Sequence, residues 1–107
     1  MESNKIFVQR RGKRVLTIKQ SDKSFYIGDS EKEPLAEIVF AYEGEDVIEI
    51  QHTNVSETLK GQSVGKKLVQ RVAEFAREKK KKVVPLCPFA YKEMMKNKEE
   101  YADILAE

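Results

Sequence analysis

At 107 residues, 40% of them hydrophobic and 36% charged, the chain has material for one small core, since domains of this size bury roughly two-thirds of the surface their unfolded form exposes. Lys plus Arg number 20 against 18 for Asp plus Glu, a net charge of +2 that announces no nucleic-acid partner. The one cysteine, Cys87, excludes an internal disulfide framework and fits a reducing compartment.

Length excludes two complete domains, a (β/α)8 barrel and a dinucleotide-binding fold with its own substrate domain. No apolar run reaches membrane-spanning length, and Met1 leads into no signal-peptide core. A single cytoplasmic domain spanning residues 1–107, a monomer or weak oligomer without a metal site, is expected.

The first half reads as strands and turns. Ile6-Phe7-Val8 and Val15 to Ile18 flank a basic stretch whose Gly12 suits a hairpin tip. Ser24 to Ile27 is the next strand. Leu35 to Tyr42 carries Ala36, Ile38, Phe40 and Tyr42 on one face and Val39 and Ala41 on the other, so a central strand buried on both faces is expected. After the turn Glu43-Gly44-Glu45-Asp46, Val47 to Thr53 alternates. Ile48, Ile50 and His52 then share the face turned to the core.

The second half changes period. Val64, Leu68, Val72, Phe75 and Ala76 recur at helical spacing, which predicts an amphipathic helix from Val64 to Lys79. Val83 to Leu86 is a short strand, with Pro85 and Pro88 on either side of Cys87 forbidding a longer one. A helix over Phe89 to Lys96 and a last helical turn or two over Glu99 to Leu105 complete the chain. The strand–helix–strand unit predicts a mostly antiparallel sheet with one parallel pair, an α+β architecture.

Two stretches carry chemistry. Asn54 to Lys67 links strand to helix with Gly61 and Gly65 beside Gln62, Ser63, Lys66 and Lys67. Free amides at a helix start, the positive end of the helix dipole and lysine charge suit a phosphate or pyrophosphate; an ordinary glycine-punctuated loop is the alternative. Pro85-Leu86-Cys87-Pro88-Phe89 places a thiol just past a strand end. Such a thiol is a candidate nucleophile when a partner favours the thiolate, and His52 is the only imidazole available. The plainer alternatives are a small buried hydrophobe for Cys87 and a hydrogen-bonded core residue for His52. Lys79 to Lys82 follow a helix end, where cations are stabilised in solvent. Residues 1–53 carry 8 basic and 10 acidic side chains against 12 and 8 in residues 54–107, so positive charge gathers in the half holding the proposed phosphate loop.

Together, His52-Thr53-x-Val55, Gly61-Gln62-x-x-Gly65-x-x-Leu68 and Pro85-x-Cys87-Pro88-Phe89 resemble the small single-domain GNAT-like N-acetyltransferases (the YjdJ-type group), over roughly Ser24 to Tyr101. Gln62-x-x-Gly65 is similar to the signature by which larger members hold the coenzyme A pyrophosphate. Lys67 replaces its last small residue, and Ser63 a glycine common in the small group. Asn97 stands near the histidine of the group's His-Pro-x-Tyr stretch and Tyr101 is one residue out of step with its tyrosine, so nothing catalytic is carried over there.

The resemblance implies a GNAT-like sheet with one splayed parallel pair, a main crossover helix and a short C-terminal helix. Acetyl-CoA would enter the splay, its pantetheine arm beside Thr53, Asn54 and Val55 and its pyrophosphate on the segment Gly61, Gln62, Ser63, Val64, Gly65, Lys66 and Lys67. Its thioester would arrive near Cys87, Pro88 and Phe89. The acceptor, an amine or a protein, is not implied, and its site would be open or completed by a partner. Two routes stay open, direct attack by an amine with His52 or water taking the proton, and transfer through Cys87 activated by His52. A CoA- or acyl-CoA-binding module without transfer, acting through a protein partner, is the competing expectation, and a structural domain binding no nucleotide the third.

Overall fold

The computed structural model describes residues 5–8, 14–59 and 63–106. Strands β1 (Lys5–Val8) and β2 (Arg14–Thr17) form an antiparallel hairpin in which Lys5 faces Thr17 and Val8 faces Arg14; its tip, with Gly12, lies outside the described residues. Past Ile18 the chain enters a five-stranded sheet of order β3-β4-β5-β6-β7. Its strands are β3 (Lys19–Gln20), β4 (Ser24–Ile27), β5 (Ala36–Glu43), β6 (Val47–Val55) and β7 (Lys82–Pro85). Neighbours are antiparallel except β6 and β7. That parallel pair is joined through helix α1 (Val64–Lys79), as a parallel connection requires. Helix α2 (Pro88–Lys96) and the single turn α3 (Lys98–Tyr101) follow. This is the α+β arrangement that the sequence predicts, with α1 spanning the predicted residues.

The core lies between α1 and one face of the sheet. Phe25 and Phe40 from the sheet meet Phe75 of α1 at centroid separations of 5.6 and 5.7 Å, and the Arg71 guanidinium lies 4.8 Å over the Phe25 ring. Truncating a ring in such a cluster costs about 3–5 kcal/mol. Val69 and Ala73 are buried along with the predicted stripe, because α1 is flanked by α2 as well as by the sheet.

The expectation for β5 needs correcting. It is the central strand, but only Ala36, Ile38 and Phe40 are buried, while Val39 and Ala41 are half-buried and Tyr42 is 51% exposed. The reason is coverage: α1 packs on one face of β5, whereas α2 packs chiefly on β6, β7 and α1. Tyr42, at the strand end, lies edge-on to Phe40 and beneath the Lys81 ammonium, 5.6 Å from its ring centroid.

The outer edge of β7 is closed by the chain's own C-terminal segment. Val83 N–H donates to Ile104 O at 2.6 Å and Ala106 N–H to Val83 O at 3.0 Å, so the strand presents no open ladder there. Arg77 holds that segment to α1 by donating to both oxygens of Asp103, at 2.8 and 3.2 Å, and to Glu100 O. Two lysines of the Lys79 to Lys82 run are committed to carbonyls, Lys81 to Glu45 O and Lys82 to Asp103 O. Among the described residues no helix is long and apolar enough to cross a membrane.

Candidate active site

The site begins where β6 and β7 part. Their ladder runs from Val47 opposite Lys82 to Ile50 opposite Pro85 and stops there. Leu86 N–H makes the last bond to β6, and the Cys87 amide turns onto the same carbonyl, Ile50 O, both at 3.0 Å; the nitrogen of Pro85 lies on the outer edge, as that of Val83 does. β6 goes on to Val55 paired with β5 alone. Pro88, at the first position of α2, turns the chain directly into a helix.

A bulge re-aims the end of β6. Val39 pairs with His52 but Phe40 pairs with Ile50, leaving Gln51 as the extra residue. The face of Ile48 and Ile50 is therefore continued by Thr53 and Val55, and His52 turns outward and is exposed. The expectation that His52 points with Ile48 and Ile50 toward the core is corrected, because one inserted residue reverses the period-two alternation.

A cavity of about 670 Å³ occupies the splay. Thr53, Asn54 and Val55 form its β6 wall, with Leu59 also lining it; Ser63, Val64, Gly65 and Lys66 bring in the start of α1, and Phe89, Glu93 and Lys96 one face of α2. Ser63 sits in the left-handed region at φ 60°, and its hydroxyl caps no backbone group. The first helical bond is from Lys67 N–H to Ser63 O, 3.1 Å, so the amides ahead of it lack intrahelical acceptors. With the dipole and Lys66 their chemistry suits an anion. Gly65 admits the Phe89 ring: a Cβ there would lie 2.7 Å from the ring tip.

Cys87 precedes α2 as its N-cap and is 4% exposed. Its Sγ lies 3.5 Å from Thr53 Oγ1, the thiol donating to the hydroxyl when neutral and the hydroxyl donating to the sulfur when it is a thiolate. Burial pushes the thiol pKa up, but hydrogen bonding with the Thr53 side chain and from the amides of Ala90, Phe89 and Thr53 outweighs it, leaving the thiol below its ordinary value. That direction favours the thiolate, as at other helix N-termini.

A family model described as GCN5-related N-acetyl-transferase matches residues 24–104. The chain belongs to the GCN5-related N-acetyltransferase family. It is also similar to the solution structure of a "GCN5-like putative N-acetyltransferase" from Staphylococcus aureus, with 45% identity and a TM-score of 0.70 over 85% of this chain and 88% of that one. No curated protein matches the chain.

Within this GCN5-related N-acetyltransferase fold, the predicted cofactor residues Thr53, Asn54, Val55, Ser63, Val64, Gly65, Lys66 and Phe89 converge on one cavity. Lys67 and Pro88 are exposed and lie outside its wall, and Gly61 and Gln62 fall outside the described residues. Cys87 stands behind Thr53 rather than in the wall. His52 does not join it, since the thiol's bonds go to Thr53 and backbone amides. Leu59, Glu93 and Lys96 are wall residues that the sequence reading did not single out; Phe89, Glu93 and Lys96 share a helical face at spacings of four and three, a signal that was available.

Proposed function

We propose that the chain is an acetyl-CoA-dependent N-acetyltransferase in which Cys87 carries the acetyl group between coenzyme and amine. The supporting observation is that a thiol held below its ordinary pKa touches Thr53, a wall residue of the same cavity that receives the uncapped start of α1. The donor set fits the coenzyme. Amides, the dipole end and Lys66 suit its pyrophosphate, and the cavity volume is in the range of small-molecule sites. Thr53, Asn54 and Val55, on the part of β6 that β7 leaves unpaired, suit the amides of its pantetheine arm.

Acetyl-CoA would supply an acetyl thioester open to attack by sulfur or nitrogen. The Cys87 thiolate forms the new carbon–sulfur bond as the bond to the coenzyme sulfur breaks, and the coenzyme thiolate takes the electron pair. An acceptor amine then forms the amide, Cys87 departs as thiolate, and water takes the amine's proton. Intact-mass measurement after incubation with acetyl-CoA tests the route: a mass gain of one acetyl group is expected for wild type and none for Cys87→Ala. No adduct on wild type, with turnover retained by Cys87→Ala, would leave direct attack by the amine.

The position of Cys87 behind Thr53, off the cavity wall, favours a second reading, a CoA-binding module without transfer. Calorimetric binding of CoA together with no acetylation of any amine in a panel would select it.

A further inference from the structure

Among the described residues, apart from the Cys87 thiol and the Tyr101 hydroxyl, the buried polar side chains are Ser24 and Glu93. Ser24 is satisfied by the Ser21 hydroxyl at 2.8 Å. Glu93 is 8% exposed and stands in the cavity wall between Phe89 and Lys96. Its Oε2 accepts from Asn97 Nδ2 at 2.9 Å, and the same amide group donates to Glu93 O at 3.1 Å. Glu93 Oε1 has no donor among the described residues, and no lysine or arginine of that set pairs with the carboxylate. One carboxylate oxygen is thus anchored, and the other keeps its acceptor capacity for whatever enters the cavity.

We propose that Glu93 Oε1 accepts a hydrogen bond from an N–H of the pantetheine arm, at the amide farther from the sulfur, and so selects ligands carrying that arm. The assignment rests on the coenzyme A reading of the cavity. Phosphate is the wrong partner for a carboxylate, which leaves the arm and the reacting end. α2 rises 1.5 Å per residue, so Glu93 lies about 9 Å along its axis from Cys87. A proton acceptor has to come within about 3 Å of the group it serves, so Glu93 is displaced from chemistry at the thiol. The farther amide nitrogen of the arm is seven bonds from the sulfur, roughly 8 Å when extended. The two offsets agree.

Isothermal titration of wild type, Glu93→Leu, Glu93→Gln and Asn97→Ala with coenzyme A and with 3′-phospho-ADP, which lacks the arm, tests the assignment. Loss of a hydrogen bond to a charged group corresponds to about 10- to 100-fold weaker coenzyme A binding by Glu93→Leu, with 3′-phospho-ADP affinity unchanged. Glu93→Gln, which still offers an acceptor oxygen, is expected to retain most of the affinity. Asn97→Ala, which keeps the carboxylate and removes its anchor, is expected to lose part of the coenzyme A affinity and none of the nucleotide's. If Glu93→Leu does not fold, Asn97→Ala decides, and unchanged coenzyme A affinity there overturns the assignment. Equal coenzyme A affinity in folded Glu93→Leu and wild type overturns it too, as does a parallel change for both ligands. Failure of wild type to bind coenzyme A overturns the reading of the cavity and the assignment together.

Discussion

The Cys87 thiol meets the Thr53 hydroxyl at 3.5 Å, across the gap that opens where β6 and β7 stop pairing after Ile50 and Pro85. The bulge at Gln51 turns Thr53 to this side, and the Cys87 amide, drawn onto Ile50 O beside that of Leu86, ends the ladder.

Thr53→Val keeps the β-branched shape and removes the hydroxyl. Burial then pushes the thiol pKa up with one fewer hydrogen bond opposing it. One such bond is worth about 1 kcal/mol, so alkylation of Cys87 by iodoacetamide at neutral pH is expected to slow about fivefold. An unchanged rate would mean that the backbone amides of Phe89 and Ala90 suffice.

Gly65→Ala separates folding from binding. Alanine gains about 1 kcal/mol of helix propensity, but its Cβ drives the Phe89 ring out of the place it occupies against α1. That ring is 42% exposed and free to swing, so the net change in unfolding free energy is expected to stay within about 1 kcal/mol. Because Phe89 is cavity wall, coenzyme A affinity measured by calorimetry is expected to fall about fivefold or more.

Tyr101→Phe is expected to stabilise the protein. Tyr101 is fully buried and its hydroxyl has no partner among the described residues, while burial pushes its pKa above the usual phenol range. An unsatisfied buried hydroxyl costs about 1–3 kcal/mol, so removing it should raise Tm by about 4 °C or more. A lower Tm would show that the hydroxyl is engaged.

Hydrogen bonds from Arg77 hold the Asp103 carboxyl below the usual carboxylate range. A depressed folded value adds stability that is fully present above the ordinary aspartate range, near pH 4, and fades as pH falls through the folded value. Both partners are solvent-exposed, so the effect is small. Asp103→Asn is expected to lower Tm by about 2 °C at pH 7, and the difference from wild type is expected to close as acid protonates the carboxylate.

Local signals carried much of the fold. The α1 stripe from Val64 to Ala76 repeats at helical spacing, and its bounds follow from the chain's own periodicity. Pro88 marked the start of α2 because proline acts on its own backbone. The cavity's α1 and β6 walls were legible for the same reason, since a helix start and a strand end are local features. Gln51 carried no such mark. It fits regular alternation as well as any residue, and only the pairing of its neighbours His52 and Ile50 with Val39 and Phe40 makes it the bulge.

The sequence by itself therefore determined most of the elements, the place of the thiol and the free amides at the start of α1, all consequences of residues near one another in the chain. Tertiary structure decided which side chain accompanies Cys87, exchanging His52 for Thr53, and buried Glu93 in the cavity wall. Those outcomes depend on strand register and on α2 packing against α1 and β6, which are set by contacts between distant residues that periodicity does not encode.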